Sequence, residues 1–189
     1  MDRGSYRRVI NAFRTLDNSI SKNLHRKQIS CKKGCIACCE LVINISQIEA
    51  MVILKYVDNI KLKLDWVRVN EQSGLQSKMN ATEYAGMHNG CVFLDDKGGC
   101  SIYPVRPIAC RSHLVSSASE LCGLPDGKVN KYDTYLAVRP MIDIIIQEHK
   151  HYGLKSTIES IQNSLIRVHN GQFDRTTDSG IINQANTST

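Results

Sequence analysis

All eight cysteines of this 189-residue chain fall between positions 31 and 122: Cys31, Cys35, Cys38, Cys39, Cys91, Cys100, Cys110 and Cys122. They make up about 4% of the residues, below the ~8–10% of a secreted disulfide scaffold. Neither end of the chain carries one. Such clustering points to metal binding or catalysis in a reducing compartment, rather than to disulfides or apolar filler. The densest part is the string Cys31-Lys-Lys-Gly-Cys35-Ile-Ala-Cys38-Cys39. Its thiols can approach one centre if the backbone turns tightly, and Gly34 supplies the residue able to take positive φ. Lys32 and Lys33 flank the string and are expected to favour thiolates. Adjacent residues rarely aim at one point, so Cys38 and Cys39 are expected to serve different ligand sets.

Composition bounds the rest. Hydrophobic content of 42% with 22% charged residues is that of an ordinary globular chain. No run approaches the ~18 apolar residues of a membrane span, so no membrane partner is expected. The first residues lack the apolar stretch of a signal peptide, which makes a cytoplasmic location the expectation. The net charge of +6 is unevenly placed: residues 1–33 hold nine Lys/Arg against Asp2 and Asp17, a net +7, leaving −1 for the remainder. One basic helix on a near-neutral domain, without interleaved aromatics, argues against nucleic acid and reads first as a solvated face.

Periodicity predicts a mainly α-helical, irregular, metal-organised single domain with a small β-hairpin. Residues 1–30 form a basic amphipathic N-terminal helix, centred on 5–28. Residues 31–170 form the cysteine-cluster domain with its C-terminal helices, and 171–189 a flexible tail. A short strand is expected over 41–45, followed by a helix over 47–57 opened by the capping box Ser46-x-x-Glu49. Further helices are expected over 62–79, 131–151 and 154–169, with Asn170-Gly171 as a C-terminal cap. The runs 91–94 and 100–103, joined by Asp95-Asp96-Lys97-Gly98-Gly99, read as the hairpin. Pro104 and Pro107 end it in a turn, with a single helical turn through Cys110; 112–130 reads as irregular loop.

A regular hairpin puts Leu94 opposite Cys100 and sends Cys91 and Cys100 to opposite faces. Either they serve different centres, or Gly98-Gly99 shifts the register. Eight thiols suffice for two four-thiolate sites, or for one site with spare thiols. Only one compact knuckle is present, and the later cysteines follow at gaps of 8, 9 and 11 residues. That spread favours an iron–sulfur cluster, [4Fe–4S] before other forms, over zinc, the alternative. The Cys31-x₃-Cys35-x₂-Cys38 spacing equals that of radical S-adenosylmethionine enzymes. The chain after Cys39, however, shows neither alternating strands and helices nor glycine-rich cofactor loops.

The knuckle, with Cys91-Val-Phe-Leu and Cys100-Ser-Ile-Tyr-Pro-Val-Arg106-Pro107-x-x-Cys110-Arg111, resembles the YkgJ-like cysteine-cluster family. Its members are described as zinc- or iron-chelating domains and, in some cases, as iron–sulfur oxidoreductases. The resemblance covers residues 31–111 and implies that the seven cysteines in it are shared metal-site positions; Cys122 lies beyond it. Beside them stand Arg106 and Arg111, which either balance a thiolate centre and hold a substrate anion or form structural ion pairs. Tyr103 and His113 are the other neighbours expected to line or support the site. No catalytic residue is singled out. The function implied is that of an iron–sulfur protein in redox or cluster-dependent chemistry, with a redox or protein partner. Its enzymatic forms would be an oxidoreductase or a protein-modifying component. The alternative is a zinc-stabilised module that uses the basic helix to hold a partner.

Overall fold

Val9, Phe13 and Leu16 recur at helical spacing, and in the computed structural model of the chain all three are buried along one side of α1 (Arg3–Asn23). The structure describes residues 1–23, 29–32, 34–124 and 127–176. Helix α1 starts two residues before the expected point, and the expected last turn, 24–28, lies outside the described residues.

The capping box forms as read. Ser46 Oγ accepts the Glu49 N–H at 3.3 Å, and Glu49 Oε2 accepts the Ser46 N–H at 2.9 Å. It opens α2 (Gln47–Asn59), whose Ile48, Ala50, Val52 and Ile53 are fully buried. Asp65 caps α3 (Trp66–Gln76), in which Val69 is buried while Trp66 stacks on His169 at 4.1 Å. Ser73-Gly74 does not interrupt this helix. A second capping box, Asn80 with Glu83, opens α4 (Ala81–Gly86), an element the sequence reading passed over. The single turn expected through Cys110 is α5 (Ile108–Ser112). Two helices close the chain, α6 (Tyr135–His151) and α7 (Ile161–His169).

Residues 154–160, expected as the first part of the last helix, are not helical, and 158–160 are instead strand β2 (Ile158–Ser160). It pairs antiparallel with β1 (Asn44–Ser46), Asn44 facing Ser160 and Ser46 facing Ile158. Ser160 ends the strand by capping α7, its hydroxyl accepting the Asn163 N–H. The chain is therefore mainly helical with a small antiparallel β element, as expected, though that element lies elsewhere. At 91–103 the hairpin contracts to one bridge, Leu94 with Cys100, because the Leu94 N–H bonds the Cys91 carbonyl and turns the first arm. Gly171, at φ +69°, caps α7. Beyond it, Lys155 N–H bonds the Asp174 carbonyl and Thr176 N–H that of Gly153, so 172–176 are held on the body of the protein. The rest of the expected tail, 177–189, lies outside the described residues.

One aliphatic core joins these elements. Side chains of α1, α2, α6 and α7 meet there with Val92, Phe93, Ile102 and Val105 from the cysteine-bearing segment. The helices thus form a platform, and the cysteine loops are seated on it.

Candidate metal centre

Gly34 adopts φ +88°, the left-handed turn expected of it, and the Cys35 N–H bonds the Lys32 carbonyl at 3.0 Å. The chain then enters a 3₁₀ helix, Ala37–Glu40, which carries Cys38 and Cys39. Leu114–Ser116, expected as loop, runs between two neighbours: Ser30 N–H bonds Val115 O, and Ser116 N–H bonds Asn130 O. This places Cys31 Sγ within 3.4 Å of the Val115 N–H and 3.5 Å of the His113 carbonyl. Cys122 sits in a 3₁₀ helix, Ser119–Gly123, that packs on Ala37–Glu40.

Two part-buried tethers position Cys91 and Cys110. On α3, Arg68 Nη2 and Gln72 Nε2 both donate to the Gly90 carbonyl, at 2.6 and 2.8 Å, immediately before Cys91. From α2, Glu49 Oε1 accepts the Ile108 N–H at 2.8 Å and so fixes the start of α5, which carries Cys110.

The result is one cavity of about 960 Å³ with all eight cysteines on its wall. Cys91 and Cys100 both face it, because the turned first arm removes the alternation that would have opposed them. Cys38 and Cys39, expected to serve different ligand sets, both line it. Ile20, Ile43, Phe93, Ile102 and Ile161 supply apolar wall. All eight thiols are free, Cys122 buried and the others half-buried. Among the described residues, no three His, Cys, Asp or Glu side chains converge closely enough to hold a single metal ion.

Burial and mutual repulsion favour the protonated form at Cys31, Cys38, Cys91, Cys100, Cys110 and Cys122. Burial pushes Cys91 up to about 11. It also raises Cys110, where the charges of Cys91, Cys38 and Cys100 add to it. Cys38 is raised first by its contact with Cys39 and then by burial, and Cys31, Cys100 and Cys122 are raised by burial. The lowering expected of Lys32 and Lys33 is therefore not seen at Cys31; Lys33 itself lies outside the described residues. Arg68 and Arg106 act in the opposite direction on Cys91 and Cys100 without prevailing. A cation in the cavity is what would hold so many sulfurs as thiolates.

The flanking residues divide. Arg111 is fully buried with each guanidinium nitrogen bonded: Nη1 pairs with Asp17, Nε donates to Arg106 O and Nη2 to Pro104 O, and its guanidinium lies 4.3 Å from the Phe13 ring centre. Arg106 pairs with the same Asp17 at 3.1 Å and stacks 4.0 Å over exposed Tyr103. Both arginines border the cavity with their donors committed to the protein. His113 borders it as well, with Nε2 buried and unpartnered among the described residues; burial lowers its pKa and keeps the ring neutral. Sequence reasoning missed Asp17, Glu49 as a tether of α5, Arg68 and Gln72, all of which act across more than a dozen residues of chain.

The family model described as "CxxCxxCC: Putative zinc- or iron-chelating domain" matches residues 30–135, more than half of the chain. The chain belongs to the CxxCxxCC family. The YkgJ-like resemblance is to this same family, and the match extends past residue 111 to include Cys122. No curated protein and no solved structure gives a significant match. The family description is one of metal chelation, and the donor set around the cavity suits metal binding: soft thiols clustered on a largely apolar wall. Among the described residues no helix is long and apolar enough to cross a membrane.

Proposed function

We propose that the cavity holds an iron–sulfur cluster, the four-iron form in preference, and that the chain serves redox or cluster-dependent chemistry with a protein electron partner. The observation that carries this reading is the spread of the thiols. Four sulfurs around one tetrahedral zinc, at Zn–S of about 2.3 Å, must approach one another to about 3.8 Å. Here eight thiols are distributed over a cavity of about 960 Å³ and no three converge. A cluster suits that spread, since each thiolate binds a different iron.

Such a cluster supplies electron transfer, or an iron open to substrate. The chain's own groups do the rest. Val115 N–H donates to Cys31 sulfur, and the positive charges of Arg68 and Arg106 favour thiolate at Cys91 and Cys100. Each of these stabilises electron density on sulfur. The isoleucines and Phe93 give part of the wall an apolar, low-dielectric character. The free thiols support a reducing, cytoplasmic setting.

A second reading, a zinc-stabilised interaction module, is favoured by α1. Its Arg3, Arg7 and Arg14 are exposed and make no ion pair among the described residues, which leaves them for an acidic partner. Purification without oxygen separates the two. The cluster reading expects brown protein absorbing at about 400 nm with iron and acid-labile sulfide in equal amounts. Colourless protein carrying zinc and no sulfide would establish the second.

A further inference from the structure

Among the described residues, none between 29 and 41 belongs to the aliphatic core, so the knuckle is held from its flanks. Toward 114–123 it is stitched by the Ser30–Val115 and Cys31–Val115 bonds, and the helix of Cys122 packs on the Ala37–Glu40 turn. Toward the Cys91 segment, His88 Nδ1 lies 2.7 Å from Glu40 Oε2. An ionised carboxylate only accepts, so Nδ1 carries the hydrogen. Among the described residues, no other hydrogen bond joins 29–41 to 81–110.

His88 reaches this position at a cost. It stands just past the end of α4 at φ +52°, its N–H bonded to the Ala85 carbonyl, in the left-handed conformation that glycine takes freely there. The turn itself has no use for an imidazole; what the side chain adds is the bond to Glu40. Two residues on, Gly90 is tied to α3, which gives His88 a fixed base. Glu40 closes the turn that carries Cys38 and Cys39. Neither Glu40 nor His88 borders the thiol cavity. Both border a smaller recess of about 380 Å³, and Lys32, Gly34, Cys35 and Ser119 lie on the walls of the two alike. The knuckle is thus part of the partition between cavity and recess, and the half-exposed His88 side chain marks the recess as open to solvent.

We infer that the Glu40–His88 bond is the latch of the thiol cavity. Through Glu40, His88 holds the Cys38–Cys39 turn against the Cys91 segment, and breaking the bond frees the knuckle to open the partition to metal. His88 is a positioning residue, acting from outside the cavity. The inference rests on the cavity being a metal site, and it adds the contact that governs how firmly that site is closed.

The test is the release of cadmium(II) from the reduced, cadmium-loaded full chain to excess chelator, followed by cadmium–thiolate absorption. His88→Gly relieves the backbone and removes the donor. Its unfolding midpoint should equal or exceed that of the unsubstituted chain, while cadmium leaves about two- to fivefold faster. His88→Asn keeps an N–H donor near the Nδ1 position and accepts the left-handed conformation, so it should restore slow release. Glu40→Ala should match His88→Gly, and the double substitution should be no faster than either. If His88 served only to end α4, His88→Gly would release cadmium at the unsubstituted rate or more slowly, and that result overturns the inference. So does simple addition of the two effects in the double variant. An unsubstituted chain that binds no cadmium would remove the metal site and the latch with it, and is told apart from equal release rates by the missing absorption.

Discussion

At Glu49 a single carboxylate serves two helices: Oε2 caps α2 through Ser46, and Oε1 accepts the Ile108 N–H that begins α5. The side chain is buried, and burial raises its pKa above the ordinary carboxylate value. Glu49→Gln sets an amide NH₂ against one of those N–H donors. The expected loss is about 1–3 kcal/mol of stability in urea unfolding, accompanied by weaker metal retention, since Cys110 loses its anchor. His149 gives a pH-dependent counterpart. It is buried on α6, its Nδ1 bonds the Ile145 carbonyl at 2.9 Å, and burial lowers its pKa from 6.5. Above about 6.5 the ring is neutral whether the chain is folded or not, and stability is unaffected. As pH falls below that value the unfolded chain takes up a proton that the folded chain refuses, so stability declines down to the folded pKa. Thermal unfolding between pH 7 and 5 should show this fall, and His149→Gln should flatten part of it; an unchanged slope would place its origin elsewhere.

Among the elements, the knuckle depends on one backbone angle. A Cβ at Gly34 would meet nothing within 4 Å, so Gly34→Ala costs only the left-handed conformation at φ +88°. The expected penalty is about 1–2 kcal/mol, read as a lowered unfolding midpoint together with faster loss of metal to a chelator. This turn was legible because its cause is local, as were α1, the Ser46–Glu49 capping box and the Gly171 cap. What escaped reading was non-local. Strand β2 exists because residues 44–46, more than a hundred positions earlier, present a free edge, and residues 158–160 alone carry a helix-compatible pattern. The expected hairpin is shortened for the converse reason: the Leu94–Cys100 pairing forms, but a local turn at Cys91–Leu94 replaces the rest of the first arm. At the site, the cysteines were visible from their density. Asp17, which pairs with both arginines, and the α3 residues that hold Gly90 gave no sign, because nothing near them in sequence announces their partners.

On the scale of the whole molecule, an aliphatic platform carries a thiol-lined cavity, and the two depend on different forces. The platform is closed by apolar burial among α1, α2, α6 and α7. The cavity wall has a few hydrogen bonds and a set of thiols that repel one another once ionised. Chelation under reducing conditions should therefore act on one part only. Amide exchange should accelerate over residues 29–40 and 114–123 and stay slow in α2 and α7; uniform acceleration would mean that metal holds the entire fold. The most direct measurement is X-ray absorption at the metal edge of protein purified without oxygen. A first shell made of sulfur, with a short iron–iron distance behind it, is the expected result. A shell dominated by nitrogen and oxygen, or a chain that retains no metal, would contradict the assignment of these eight cysteines to a metal centre.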